Sequence, residues 1–159
     1  MQSLERQLEQ KTAQLAALRE IGRAINAAWE LEATLDLITC RTADVMGMDS
    51  CSIYLLEPSG ESLVLKATTG LAAEAVGHAQ LRLGEGLTGW AAEAGEPVAV
   101  ADAVRDPRFK YLPQTRETRF QSLLALPLVN QERVIGSMNV QTRAHHEFSS
   151  EEVELLSLI

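Results

Sequence analysis

The chain has 159 residues, 46% apolar and 23% charged, with 14 basic against 22 acidic side chains and a formal net charge of −8. That describes one ordinary globular domain, or one domain with an added helix, and excludes a disordered chain. An acidic chain without a Lys/Arg cluster is also unsuited to nucleic acid, whose phosphates require clustered cations. No apolar run reaches the roughly 18 to 20 residues of a membrane span, and the first residues lack a signal peptide's apolar stretch, so the cytoplasm is the expected compartment. Cys40 and Cys51 have no Cys-x-x-Cys or metal-ligand spacing and are expected to be buried free thiols.

In residues 1–28, Leu4, Leu8, Leu15, Leu18 and Ile25 recur at spacings of 3, 4 and 7, which predicts a helix with one apolar seam. Leu or Ile fills five of seven heptad seam sites, with Lys11 and Gly22 at the others. This segment carries +1 while residues 29–159 carry −9. The contrast marks residues 1–28 as a coiled-coil dimerisation helix, separate from a globular domain over 29–159. A long amphipathic helix lying on its own domain is the alternative.

After Glu30-Leu31-Glu32 a second helix is predicted, with Leu35, Ile38, Val45 and Met46 as its apolar stripe and Gly47 at its end. The period then shortens to two. Residues 51–56 and 63–67 alternate around the turn Pro58-Ser59-Gly60-Glu61, predicting a β-hairpin closed by Gly70. Residues 71–80 form a connection without a clear pattern. A short strand at 81–83 precedes the glycine segment 84–89 and a short helix over 90–94, which Gly95-Glu96-Pro97 stops. Residues 98–100 read as a strand, and 102–121 as a long polar loop broken by Asp106-Pro107 and Leu112-Pro113. Strands over 122–128 and 134–142 make a second hairpin around Asn130-Gln131-Glu132-Arg133. Ser149-Ser150-Glu151-Glu152 is a capping box, with Phe148 and Val153 placed as a hydrophobic staple. The helix it starts meets the chain end at Ile159, as expected of a fragment cut from a longer protein.

Candidate chemistry is sparse. Gly84, Gly86 and Gly89 match the dinucleotide fingerprint G-x-G-x-x-G, and Asp102 falls near the ribose-binding position. Yet the fingerprint needs a full strand, a long helix and further βαβ units, whereas hairpins dominate here. The glycines read better as a tight strand-to-helix turn. His78, His145 and His146 lack zinc spacing, and no nucleophile elbow or phosphate loop occurs, so no metal ligand or catalytic residue is assigned. Asp102, Asp106 and Glu117 could group as carboxylates, but scattered loop acids ordinarily face solvent. Phe109, Tyr111 and Phe120 are three of only seven aromatics, and all lie in the long loop. They either plug the core beneath it or wall a ligand cavity against the sheet. Arg105, Arg108, Lys110, Arg116 and Arg119 surround them, either to orient an anionic ligand or to solubilise the loop.

Several segments, taken in order, resemble the GAF domain pattern: Leu83-Gly84-Glu85-Gly86-Leu87-Thr88-Gly89-Trp90-Ala91, Gly95-Glu96-Pro97-Val98, Asp102 with Asp106-Pro107-Arg108-Phe109, residues 122–129, and Val134-Ile135-Gly136-Ser137-Met138-Asn139-Val140. The resemblance runs from about residue 18 to 159. It implies an α/β (α+β) fold, a GAF-like central antiparallel sheet with helices packed on one face and a ligand pocket on the other, here with a long N-terminal coiled-coil helix. Phe109-Lys110-Tyr111-Leu112-Pro113 and Arg119-Phe120 are further similar to the GAF domain of nitrogen-related phosphotransferase enzymes. Residues 86–140 hold no Cys for covalent bilin attachment, and the cyclic-nucleotide subfamily's motif is not visible. The free methionine sulfoxide reductases have thiols near the Leu87 and Asp102 segments, where this chain has Gly86-Leu87-Thr88-Gly89 and Val100-Ala101-Asp102-Ala103. No enzyme activity is therefore expected.

The resemblance implies a regulatory sensory module of a multidomain bacterial-type signalling protein. It would be a homodimer that binds a small molecule or partner and relays the change through dimeric terminal helices to an attached output domain missing from this chain. Leu87, Trp90, Phe109, Tyr111, Phe120 and Met138 are the expected ligand-binding residues, and Leu4, Leu8, Leu15, Leu18 and Ile25 the dimerisation residues. No cofactor is assigned. The alternatives are a ligand-free structural dimerisation module and the regulatory GAF domain of a phosphotransferase enzyme.

Overall fold

The computed structural model describes residues 2–158, so Met1 and Ile159 lie outside the described residues. The chain divides into two compact units, Met1–Thr34 and Leu35–Ile159. The described residues of the first, 2–34, are helical and belong to α1 (Gln2–Met46), one continuous helix where the sequence predicts two. Glu30-Leu31-Glu32 contains neither Gly nor Pro, and its residues are adequate helix formers, so nothing interrupts the backbone ladder. Leu4, Leu8, Leu15, Leu18 and Ile25 are all exposed, as is Trp29, which continues the Leu8–Leu15–Gly22 row by one heptad. No helix among the described residues is long and apolar enough to cross a membrane.

In the second unit, Leu35, Thr39, Thr42 and Ala43 form the buried stripe of α1. Val45, expected on that stripe, is 71% exposed, and Cys40 is exposed rather than buried, because both fall on the outer side of the helix. Gly47, at φ +66°, ends α1 as expected: its N–H donates to the Asp44 carbonyl and that of Met48 to the Ala43 carbonyl, a Schellman closure.

Six strands follow: β1 (Ser50–Leu56), β2 (Ser62–Thr68), β3 (Gln80–Arg82), β4 (Val98–Val100), β5 (Ser122–Asn130) and β6 (Arg133–Thr142). They form one sheet in the order β3-β2-β1-β6-β5-β4, every pairing antiparallel. This is the mixed α/β arrangement expected from the hairpins, and it rules out the parallel sheet a dinucleotide fold requires. The β5–β6 turn tightens to Gln131-Glu132, both at positive φ, so each strand runs longer than predicted.

One face of the sheet carries Cys51, Ile53, Leu124, Leu126, Met138 and Val140, packed against Leu35, Ala43 and Leu156 of the flanking helices. Leu156 comes from α3 (Ser150–Ser157), which begins at the predicted capping box. The Ser149 Oγ accepts from the Glu152 N–H at 3.1 Å, and the Glu152 carboxylate accepts from the Ser149 N–H at 2.9 Å. Partial burial works to raise the Glu152 pKa, but the Ser149 amide and His146 more than offset it and hold the carboxyl below its ordinary value. Ser149→Ala removes half of this box and should cost about 1 kcal/mol in urea unfolding. An unchanged midpoint would mean that packing of Leu156 alone fixes the start of α3.

Candidate functional site

The opposite face is covered by α2 (Gly86–Ala94) and by the segment 101–121. The glycine segment makes this cover possible. Gly84 and Gly86 take positive φ, and a Cβ at Gly89 would lie 2.7 Å from the Arg82 carbonyl oxygen, so only glycine lets α2 approach β3 this closely. The helix starts at Gly86 rather than at the predicted residue 90. Segment 101–121 is held by short 3-10 turns and by contacts to the chain around residue 70. The Ala72 N–H donates to the Thr115 carbonyl, and the Arg119 guanidinium donates to the Gly70 carbonyl.

Beneath this cover lies a polar strip. Alternation along β6 sends Met138 and Val140 to the helix face and Ser137, Asn139 and Gln141 to the covered face. On β1, Ser50, Ser52 and Tyr54 stand directly opposite Gln141, Asn139 and Ser137. Such alternation ordinarily marks the wet side of a half-buried sheet, yet none of the six exceeds 1% exposure. Three are paired. Ser52 Oγ and Thr68 Oγ1 share a hydrogen bond at 2.8 Å, Ser137 Oγ donates to the Leu126 carbonyl at 3.1 Å, and Asn139 Nδ2 donates to Thr88 Oγ1 of α2 at 2.9 Å. Ser50 Oγ, Tyr54 OH, Asn139 Oδ1 and both polar atoms of the Gln141 amide have no protein partner. Each orphaned group costs about 1–3 kcal/mol if nothing else bonds it.

Glu117 reaches this strip from the cover. It was expected to face solvent with Asp102 and Asp106, but it is buried, while those two pair outward with Arg105 and Arg108. The chain turns inward there because Thr115 and Phe120, on either side of Glu117, are themselves anchored in the interior. Burial raises the Glu117 pKa to about 7, and the nearby Gln141 amide draws it only partly back. That approach falls outside hydrogen-bond geometry, so the Gln141 amide is still unpartnered. Burial also pushes the Tyr54 phenol upward, and the Glu117 charge adds to the rise.

The six residues expected to line a pocket do not converge. Leu87, Trp90 and Phe109 come together with Val98, Leu123 and Ala125 on one side of the polar strip. Phe120 lies on the other side, with Tyr54, Leu65 and Leu71. Met138 faces α1 and α3, since it is one residue out of phase with Asn139, and Tyr111 is 46% exposed. The five loop cations are not buried. Arg108 clamps Asp106 and stacks 4.8 Å above Trp90, and Arg119 lies over Phe120. Cys51 sits on the far face with its thiol pushed by burial up to about 12 and is chemically inert there. Among the described residues no His/Cys/Asp/Glu group suits a metal ion. An apolar groove of about 420 Å³ along Leu37, Val45, Met46, Leu155 and Leu158 is open to solvent and remote from the polar strip.

A raised acid pKa means that the folded state keeps its proton where the unfolded chain has lost it, so stability falls as pH rises from 4.5 towards 7. Glu117→Gln should therefore raise the unfolding free energy by up to about 3 kcal/mol at pH 8 and by nothing below the ordinary carboxylate range. Denaturant melts across this pH range test it, and equal stability of the two proteins at pH 8 would place Glu117 in water.

A model of the GAF domain family matches residues 30–159. A phosphoenolpyruvate-dependent phosphotransferase system protein of Escherichia coli is 31% identical over 120 residues, which are 76% of this chain and 16% of that protein. The chain thus spans about a sixth of the length of this curated relative. A GAF domain from a phosphoenolpyruvate-protein phosphotransferase of Coxiella burnetii superposes with a TM-score of 0.74 at 34% identity, covering 91% of this chain and 86% of that one. The type II free methionine-R-sulfoxide reductase of Thermoplasma acidophilum superposes at 0.69 with 22% identity over 82% and 87%, a likeness of fold alone. With the family model covering most of its length, the chain belongs to the GAF domain family.

Proposed function

We propose that the chain is the cytoplasmic sensory GAF module of a larger signalling protein, and that it binds a small polar molecule on the strip formed by Ser50, Tyr54, Asn139 and Gln141. The observation that carries this is the set of orphaned polar atoms, buried yet without protein partners. A filled structural core would put apolar side chains or paired groups there. On this reading Leu87 and Phe120 wall the site from its two sides, with Trp90 and Phe109 packed behind Leu87. The module has no catalytic role, and its output is carried by a domain outside this chain. Similarity to phosphotransferase GAF domains supports that enzyme class as the parent.

The exposed seam of Leu4, Leu8, Leu15, Leu18 and Ile25 supports a homodimer in which two copies of α1 cover each other's leucines. Ligand binding on the sheet would then bias the arrangement of the paired helices. Leu8→Asp together with Leu15→Asp should yield a folded monomer with the melting profile of residues 35–158 intact. Native mass spectrometry of the gently purified protein reads the subunit number and any retained small molecule together. A mutant that stays dimeric removes the coiled coil from the proposal, and a wild-type protein carrying no extra mass favours the ligand-free scaffold.

A further inference from the structure

The polar strip has a composition that selects among ligands. Asn139 Oδ1 and Gln141 Oε1 can only accept hydrogen bonds, and one of the two N–H groups of the Asn139 amide is already committed to Thr88. The second Asn139 N–H and the Gln141 amide nitrogen are the fixed donors left over, while the Ser50 and Tyr54 hydroxyls serve either way. The Glu117 carboxylate adds two more acceptor oxygens. Glu117 is also the only charged side chain buried among the described residues: no Lys, Arg or His is buried with it. Tyr54 and Gln141 face it from the sheet, while Arg116 and Arg119 on its own segment are exposed and neither lowers its pKa.

An anionic head group placed here would meet a second negative charge and no cation, in a medium where water screens little. A donor-rich, positively charged group would satisfy the orphaned acceptors and compensate the carboxylate at once. We propose that the strip receives the protonated amine of its ligand, with the Glu117 carboxylate as counter-charge and Asn139 Oδ1 and Gln141 Oε1 as further acceptors. This rests on the small-molecule reading above and specifies its chemical class, a compact polar molecule carrying an ammonium or equivalent cation. Binding such a cation favours the ionised carboxyl, so it releases the proton that Glu117 carries when the site is empty below about pH 7.

The test uses three probes of nearly one length that share a primary amide and differ at the far end: 4-aminobutanamide (ammonium), succinamide (neutral) and succinamate (anionic). Calorimetric titration of the full chain at pH 8 should show the ammonium probe binding at least about tenfold tighter than the other two, the worth of one compensated charge. Its affinity should drop about tenfold at pH 6, where a carboxyl of pKa about 7 is mostly protonated. Glu117→Gln should abolish both the preference and the pH dependence, and its thermal melt shows separately that the variant is folded. Equal or tighter binding of succinamide or succinamate overturns the cation assignment and leaves the small-molecule reading standing. If no probe binds, the mass retained by the native protein decides. A retained molecule with a basic nitrogen supports the assignment, one without overturns it, and no retained molecule takes down the small-molecule reading as well.

Discussion

The central constraint on this domain is that both faces of its sheet are covered while only one is apolar. The β1–β6 pairing fixes this, because the register that sets Cys51 and Ile53 beside Val140 and Met138 also sets Ser50, Ser52 and Tyr54 beside Gln141, Asn139 and Ser137. On the first face burial stabilises the fold in the ordinary way, with α1 and α3 laid over aliphatic side chains. On the second face, burial costs free energy wherever the cover supplies no partner. Everything distinctive about that side follows from how the cover deals with the strip. Gly89 lets α2 come close enough for Thr88 to reach Asn139, whereas the cover leaves the neighbouring groups unanswered.

The strip is held in place by its surroundings. Apolar clusters flank the strip, one around Leu87, Val98 and Leu123 and the other around Leu63, Leu65 and Phe120, and they fix the positions of the strands and the cover. Between them the orphaned atoms and the Glu117 carboxyl oppose folding, so the domain retains groups that lower its stability while leaving its rotamers and backbone ordered. Preorganisation of this sort reduces what a ligand must spend on ordering its site.

Much of the fold was legible from periodicity and turn chemistry. The hairpins, the 98–100 strand, the Gly47 stop and the Ser149 capping box all follow from local rules that tertiary contacts did not override. The division of α1 into two helices at Glu30-Leu31-Glu32 did not hold, since no helix-breaking residue stands there. The polar strip was harder to see. Ser137, Asn139 and Gln141 alternating with Met138 and Val140 look the same whether the polar face meets water or a buried cover, because alternation reports which residues share a face and not what lies above it. The available signal was the long segment 102–121, whose Leu112, Thr115 and Phe120 are anchored inward. Such a segment lies over something, and the middle of the sheet was the remaining surface. Glu117 was misplaced for the same reason: in sequence it is one acid among several, and its anchored neighbours determine that it points inward.

The cover that carries Glu117 is stitched down by 3-10 turns and a few isolated hydrogen bonds, in contrast to the continuous ladders of β5 and β6. Segments of that construction open locally at a fraction of the free energy needed to unfold a sheet, so their amides exchange with solvent first. Any such opening lifts Glu117 off the strip and into water, where its carboxyl returns to ordinary acidity. The only route to the polar strip through this segment therefore passes through a state in which Glu117 has ordinary acidity, and reclosure over the strip favours recapture of a proton below about pH 7. Opening of the cover and proton exchange at Glu117 become one motion, because the segment 101–121 that covers the strip also carries the carboxyl.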